Sequence, residues 1–322
     1  MQGVTETGAA TPPRATGQGF VDAHPIDATV DPDGPIPVPI DTALVGTDLD
    51  GTLLAPDMTV GARARRAIPE LAGRGIDLVY VTGRPPRWLA PVVDQTAHTG
   101  MAVCANGAVI VDLAAERLVR HTAIDPGLAI EVTRRLRTLV PGITFAVERM
   151  LAGAGAARGL AALSVVGFEP GYDPPWARPH DLEVAPIEQL LARGPVVKVL
   201  ALPPADAGHD ADSLVALAES EFADALHITH SGARAMLIEI MARGADKGAA
   251  FVEVAGLLGV DLARTVGVGD MPNDVTLIRA AGTGYAVANA HPAARAAADH
   301  VLPSNVDDGV GRLLEALLAV RA

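Results

Sequence analysis

The sequence predicts an α/β protein: a doubly wound, Rossmann-like core with a parallel sheet, interrupted by an inserted α+β cap domain. Three observations predict it. Short, wholly apolar runs alternate with helix-period segments near both ends of the chain, the pattern of strands buried on both faces. The middle of the chain breaks that alternation. Three of the apolar runs end in polar clusters, where open α/β sheets bind their ligands.

The elements follow in order. Residues 1–40 are rich in Gly, Pro, Thr, Ala and Asp, show no apolar period, and read as a mobile extension. Residues 43–49 form a buried strand, and 60–72 a helix closed by Gly73 and Gly75. A second strand covers 76–81, a helix 87–95, and a third strand 101–104. Asn106-Gly107 then turns the chain into 108–112 as a hairpin. The middle reads as helices at 130–139 and 212–221, with strands at 143–148, 162–166, 196–200 and 226–230. Loops are expected at 152–160 and 170–179. From residue 236 the α/β alternation returns. Strands are expected at 236–240, 265–268, 285–288 and 300–302. Helices are expected at 247–258, with Phe251, Val254 and Leu258 on one face, from Asp274 onward, and at 310–320. The expected organisation is therefore an extension over 1–40, core over 41–118, cap over 119–235 and core again over 236–322.

Composition limits the function. The chain has 322 residues, 49% of them hydrophobic but only 3% aromatic, so the core is built from Ala, Val, Leu and Ile. A net charge of −13 argues against binding nucleic acid or anionic membranes through the overall field. The single cysteine, Cys104, excludes a disulfide framework within the chain and a Cys-cluster zinc site; it reads as a small core residue. The start lacks signal-peptide features and no apolar run has membrane-spanning length, so a cytoplasmic location is expected. Lys198 and Lys247 are the only lysines.

The polar strand ends carry the chemistry. One ends at Asp48-Leu49-Asp50-Gly51-Thr52, one at Thr82-Gly83-Arg84, and a late one at Gly269-Asp270 with Asn273-Asp274. If these strands are neighbours, four carboxylates meet. Crowded carboxylates repel unless a cation binds, and hard oxygen ligands without His or Cys point to Mg²⁺. Helix N-termini expected after Gly51 and Gly83 would offer N–H groups to a phosphate.

These motifs, with Lys247 in Gly244-Ala245-Asp246-Lys247-Gly248, resemble in order and spacing the haloacid dehalogenase superfamily of phosphatases. Ala286-Val287-Ala288-Asn289-Ala290, Ala298-Asp299, Ser304-Asn305 and Asp308-Gly309-Val310 are similar to the tail of its Cof-type subfamily. The long insert matches that subfamily's C2-type cap in position. The resemblance spans about 43–320 and is weakest in the cap. It implies Asp48 as nucleophile, Asp50 as general acid and base, Thr82 as a hydrogen-bond partner of the phosphoryl group, and Lys247 as counter-charge. It implies Mg²⁺ on Asp48, the Asp50 backbone carbonyl, Asp270 and Asp274. Leu49 and Gly51 supply backbone amides, and Gly83 and Asn273 border the phosphate. The implied partner is a small phosphorylated metabolite, with the protein a monomer or homodimer.

Plainer readings compete. Asp-x-Asp-Gly after a strand is often only a turn, Thr82 suits a helix cap, and Asp274 suits the start of a helix. Lys198 reads first as the wet face of a strand, and Arg84 and Arg87 as surface residues. His227 and His230 have no evident acid partner. A phosphomutase needs a second phosphate site in the cap, for which Arg134, Arg135, Arg137 and Arg178 are candidates. A non-enzymatic phosphate-binding protein would have no need of the intact Asp48, Asp50, Lys247 and Asp270. An ion-pumping ATPase shares the motifs but needs membrane spans.

Overall fold

In the computed structural model the described residues are 30–31, 33–151, 153–155, 159–173, 183–232 and 236–321. The first half of the core contains β1 (Leu44–Thr47), α1 (Ala62–Leu71), β2 (Asp77–Val81), α2 (Ala90–Thr96), β3 (Met101–Cys104), β4 (Val109–Asp112) and β5 (Arg117–His121). The insert contains α3 (Pro126–Leu139), β6 (Thr144–Met150), β7 (Ser164–Phe168), β8 (Glu183–Val184), α4 (Ile187–Leu191), β9 (Val196–Leu202), α5 (Ala211–Phe222), β10 (Leu226–Thr229) and β11 (Ile238–Ala242). The second half of the core contains α6 (Lys247–Leu258), β12 (Thr265–Gly269), α7 (Val275–Ala280), β13 (Thr283–Val287), α8 (Pro292–Ala297), β14 (His300–Leu302) and α9 (Gly309–Val320). No helix among the described residues is long and apolar enough to cross a membrane.

The core sheet has eight strands in the order β14-β13-β12-β1-β2-β3-β4-β5. The first six in that order are parallel, and β4 and β5 fold back antiparallel at one edge. Helices cover both faces. Val45, Leu78, Tyr80 and Cys104 face a cluster with Ile68 and Leu71 of α1 and Leu313 and Leu317 of α9. Leu44, Val79, Val81 and Val103 face Phe251 and Val254 of α6 and Leu277 of α7. This two-sided burial is why the strands read as unbroken apolar runs. The order places β1 between β12 and β2, with Thr47 level with both Val268 and Tyr80. The carboxyl ends that carry the polar motifs are therefore adjacent.

The insert forms a six-stranded sheet in the order β10-β11-β9-β6-β7-β8. One face packs on α3, α4 and α5 through Phe145, Val147, Val199, Ala201, Leu136, Leu190 and Leu214. Met150, Val197 and Met241 instead join the cluster of the core, so this sheet is docked on the core through its other face.

Several expectations are corrected. The strand expected at 236–240 in the returning core is β11, and it pairs antiparallel with β9 and β10 in the cap sheet. Its alternation puts Ile238 and Ile240 under the cap helices and Glu239 on the opposite side; a short Leu-Ile-Glu-Ile-Met run hides that period. The chain thus leaves the cap after Ala242, not at 235. At the other border, β5 still belongs to the core sheet, which moves the exit from 118 to beyond His121; its half-exposed, Arg-bearing sequence gives no apolar signal. Of the extension expected at 1–40, residues 1–29 and 32 lie outside the described residues. Ile36 and Val38, however, pack against the core, and Tyr285 Oη donates to the Pro37 carbonyl at 2.6 Å. Leu258 is 39% exposed rather than part of the buried face of α6. No helix starts after Gly51: the chain turns and returns through a Leu54–Val60 bridge. After Gly83 there is a single 3-10 turn, Pro86–Trp88, before α2.

Candidate active site

Asp48 is the first residue beyond β1, and its N–H still bonds the Val268 carbonyl of β12 at 2.9 Å. That bond fixes it beside Asp270, which follows β12. Lys247 opens α6, whose N-cap Asp246 accepts from Ala249 N–H at 2.8 Å. Its Nζ donates to Asp48 Oδ1 at 2.6 Å and to Asp274 Oδ1 at 2.5 Å. Asp274 Oδ2 accepts the N–H groups of Asp270 at 3.0 Å and Met271 at 2.9 Å. Thr52 Oγ1 donates to Asp270 Oδ1 at 2.8 Å. Oxygens of Asp48, Asp270 and Asp274 lie within 4.8 Å of one another, and all three residues are buried. Gly51 has φ +80°, and a Cβ there would sit 2.3 Å from Asp270 Oδ2. Only glycine lets this loop lie so close to the carboxylate. Asn289 Nδ2 holds the Gly51 carbonyl at 2.8 Å, and Asn305 N–H in turn holds Asn289 Oδ1.

The electrostatics of the cluster suit a cation. Burial pushes the Asp48 carboxyl up to about 7; Lys247 opposes the rise, while Asp274 and Asp50 add to it. Burial, then the charges of Asp48 and Asp274, raise Asp270 well above the usual carboxylate range. Burial alone would depress Lys247, but Asp274 and Asp48 outweigh it and hold the ammonium charged. Three buried carboxylates against one ammonium leave about two negative charges uncompensated, and one divalent cation cancels them. The donors are all hard oxygens, which fit Mg²⁺.

The side chain of the fourth expected carboxylate, Asp50, is not part of this cluster. Arg84 grips it with two bonds, Nε to Oδ2 at 2.7 Å and a second nitrogen to Oδ1 at 2.5 Å. Arg84 is therefore a partner of the site and not the surface residue expected. Thr82 is fully buried, and its Oγ1 accepts from Arg84 N–H at 3.1 Å. The expected hairpin at Asn106-Gly107 is present. Its turn holds Ala105, Asn106 and Gly107 all at positive φ, a strained run that brings Asn106 inward. Asn106 Oδ1 accepts from Asn273 Nδ2 at 3.0 Å, which links the hairpin to the Asp270 loop. Leu49 is buried under the loop, its carbonyl accepting from Leu54 N–H at 2.8 Å.

The cap contributes residues that sequence reading placed elsewhere or missed. Lys198 is buried, and its Nζ donates to the Gly83 carbonyl at 2.7 Å and to Glu239 Oε2 at 2.9 Å. Asn106 Nδ2 donates to the same Glu239 oxygen at 2.7 Å. Burial would raise Glu239, but Lys198 and hydrogen bonds from Ser231, Lys198 and Asn106 hold it below its usual range. The signal was legible in principle: Lys198 and Glu239 are opposite charges, each flanked on both sides by aliphatic residues inside a strand. Arg135 pairs with Glu221, and Arg137 with Glu169 and Glu188, on the helix side of the cap. Arg178 lies outside the described residues. Cys104 is buried in the core as expected.

Comparison with known proteins agrees with the motifs and the fold. The family model for haloacid dehalogenase-like hydrolases matches residues 45–157 and 177–314. The pyridoxal phosphate phosphatase YbhA of Escherichia coli K12 is 24% identical over 277 residues, covering 85% of this chain and 97% of the relative. The 5-amino-6-(5-phospho-D-ribitylamino)uracil phosphatase YcsE of Bacillus subtilis 168 is 25% identical over 281 residues, covering 85% and 95%. The solved structure of the subclass IIB sugar phosphatase BT4131 superimposes with a TM-score of 0.69 at 16% identity, covering 87% of this chain and all of that one. A parallel core with a docked cap and a carboxylate cluster at its strand ends defines a capped phosphatase. The chain belongs to the haloacid dehalogenase-like hydrolase family, as a phosphatase of the Cof type.

Proposed function

We propose that this phosphatase hydrolyses a small phosphate monoester in a Mg²⁺-dependent reaction through an aspartyl-phosphate on Asp48. The observation that carries the reading is the Asp48–Lys247–Asp274 arrangement, with Asp270 beside it. Asp48, Asp270, Asp274 and the Asp50 backbone carbonyl would hold the ion. Bound Mg²⁺ would neutralise the nucleophile and the incoming phosphoryl group. Asp48 forms its bond to phosphorus as the ester P–O bond breaks. Asp50 gives its proton to the departing alcohol, then takes one from the water that cleaves the acyl phosphate. Asp50 reaches this role when the substrate draws Arg84 from one of its oxygens. Lys247 spreads the charge that develops on the phosphoryl oxygens, and Thr82 and Asn273 orient them. The amides of Leu49 and Gly51 and the backbone at Gly83 complete the cradle.

The relatives named for pyridoxal phosphate and a phosphoribitylamino-uracil support a phosphorylated metabolite as substrate. Of the cap arginines, Arg135 and Arg137 are held in ion pairs on its helix side and lend no support to a phosphomutase. The test is a panel of phosphate esters assayed with Mg²⁺, with wild type and Asp48→Asn in parallel. The variant is expected to lose about 10³-fold or more in kcat; comparable turnover would overturn Asp48 as nucleophile.

A further inference from the structure

We propose that Asp212, His230 and His291 form a second cation site, for a zinc-type transition metal, that clasps the cap to the core. Asp212 lies in the first turn of α5 and His230 follows β10, both in the cap sheet unit. His291 is the N-cap of α8 in the core. One donor atom from each lies within 4.8 Å of the others. His230 Nε2 is 2.9 Å from Asp212 Oδ1, and His291 Nε2 is 3.6 Å from Asp212 Oδ2. Ligands of a tetrahedral zinc with bonds of about 2.0 Å stand roughly 3.3 Å apart, and each imidazole nitrogen lies near that distance from one of the two oxygens of Asp212. The imidazole rings meet edge to face at 5.9 Å.

The tautomer of His230 is free to change. The residue is 2% exposed, its Nε2 faces Asp212, and its Nδ1 on the other side of the ring has no hydrogen-bond partner among the described residues. No partner therefore pins the proton to Nε2, and Nδ1 can carry it while Nε2 turns its lone pair to a cation beside Asp212. Asp212, in contrast, is 65% exposed, so water can reach the mouth of the site and fill the remaining coordination position. Two imidazoles and one carboxylate suit Zn²⁺ or its neighbours, whereas the all-oxygen cluster at Asp48 suits Mg²⁺. The two sites therefore select different ions by donor type.

The proton placement shapes the affinity. His291 Nδ1 accepts from Ala293 N–H at 3.1 Å. Metal on Nε2 moves the ring proton to Nδ1 and gives up that bond, which makes the site exchangeable rather than structural. Two ligands come from the cap and one from the core, so they meet only while the cap is docked. An ion that needs all three favours the docked state by its difference in affinity for the two states. The site also borders the catalytic loop, since His291 N–H bonds the Asp270 carbonyl at 2.7 Å.

The experiment uses the full chain with saturating Mg²⁺ to fill the carboxylate cluster. Co²⁺ is titrated as an absorbing probe and displaced with Zn²⁺. One Co²⁺ per chain is expected, with d–d bands of a nitrogen-containing site of low coordination number. Asp212→Ala and His230→Gln, checked for folding by circular dichroism, are expected to bind at least tenfold more weakly. Equal affinity in wild type and both variants overturns the site. The clasp is read by tryptic cleavage at Arg243, in the linker after β11. Saturating Zn²⁺ is expected to slow it at least fivefold in wild type and to leave Asp212→Ala unchanged. An unchanged rate in wild type overturns the clasp.

Discussion

The carboxylate cluster of the core and the facing side of the cap sheet handle charge in opposite ways. In the core, Asp48, Asp270 and Asp274 share one ammonium, Lys247. On the cap, Glu239 is matched by Lys198, and Glu148, which burial raises, feels both Lys198 and Arg87. The two regions are connected through Asn106, which bonds Glu239 on one side and Asn273 on the other. An unbalanced buried cluster is tolerable only with a counter-ion, which suits the core side to the cation and phosphate proposed for it. A balanced one has its charges already satisfied by protein. It acts as a joint between cap and core, through Lys198 on the Gly83 carbonyl and Asn106 on Glu239.

The sharpest way to break this comparison is to remove the ammonium that the core carboxylates share. Lys247→Met leaves three carboxylates without an ammonium. Its kcat with Mg²⁺ is expected to fall about 10³-fold, the scale set by losing a charge-stabilising donor in a buried site. Steady-state kinetics on any substrate that wild type turns over checks it. A loss under tenfold would mean that Lys247 only fills space between Asp48 and Asp274.

On the cap the expected effect is smaller and lies in stability. Lys198→Met leaves Glu239 buried beside Asn106 and Ser231 with no cation. Breaking one side of a buried pair costs about 3 kcal/mol. Lys198→Met combined with Glu239→Gln removes both charges and is expected to regain more than half of that. Urea unfolding of the two variants and wild type measures it. A double variant as unstable as the single would show that the pair does not behave as a balanced unit.

The same contrast explains what the sequence made legible. Asp48, Thr82 and Asp270 each end a parallel strand, and strand order alone carries them to one place, so short local motifs reveal them. Lys247 is legible because it is one of only two lysines and stands where the run Gly244-Ala245-Asp246-Lys247-Gly248 resembles the family's third motif. The cap residues depend on antiparallel register: Glu239 lies opposite Leu200, and Lys198 opposite Glu148. Nothing local states which strands pair, so in the sequence Lys198 reads as a wet-face residue and residues 236–240 as a strand of the core. His230 read as having no acid partner because Asp212 reaches it from another element. Arg84 stood beside its motif, but its bidentate grip on Asp50 rests on a loop geometry that spacing does not encode.

The smallest expected effect tests the source of the imbalance through pH. In the metal-free protein the Asp48 carboxyl is raised to about 7, first by burial, and Asp270 is raised as well. An unfolded aspartate titrates near 3.8. Between those values the folded chain holds more protons than the unfolded one, so this contribution to stability falls as pH rises, and the Asp48 part of the penalty is complete above about 7. Mg²⁺ held as proposed would remove the penalty but compete with those protons. Its affinity should therefore weaken by up to about tenfold per unit as pH falls below 7. A tenfold weaker site at fixed, saturating Mg²⁺ stabilises the fold by about 1.4 kcal/mol less. For a chain of this size that is roughly 2 °C in Tm. Thermal unfolding with and without Mg²⁺ at pH 8 and pH 6 reads the difference directly. The Mg²⁺-induced rise is expected to be larger at pH 8, and in Asp270→Asn the dependence on pH should flatten. An equal rise at both pH values in wild type would mean that the buried carboxylates are already ionised without the ion, and the core would then be no less balanced than the cap.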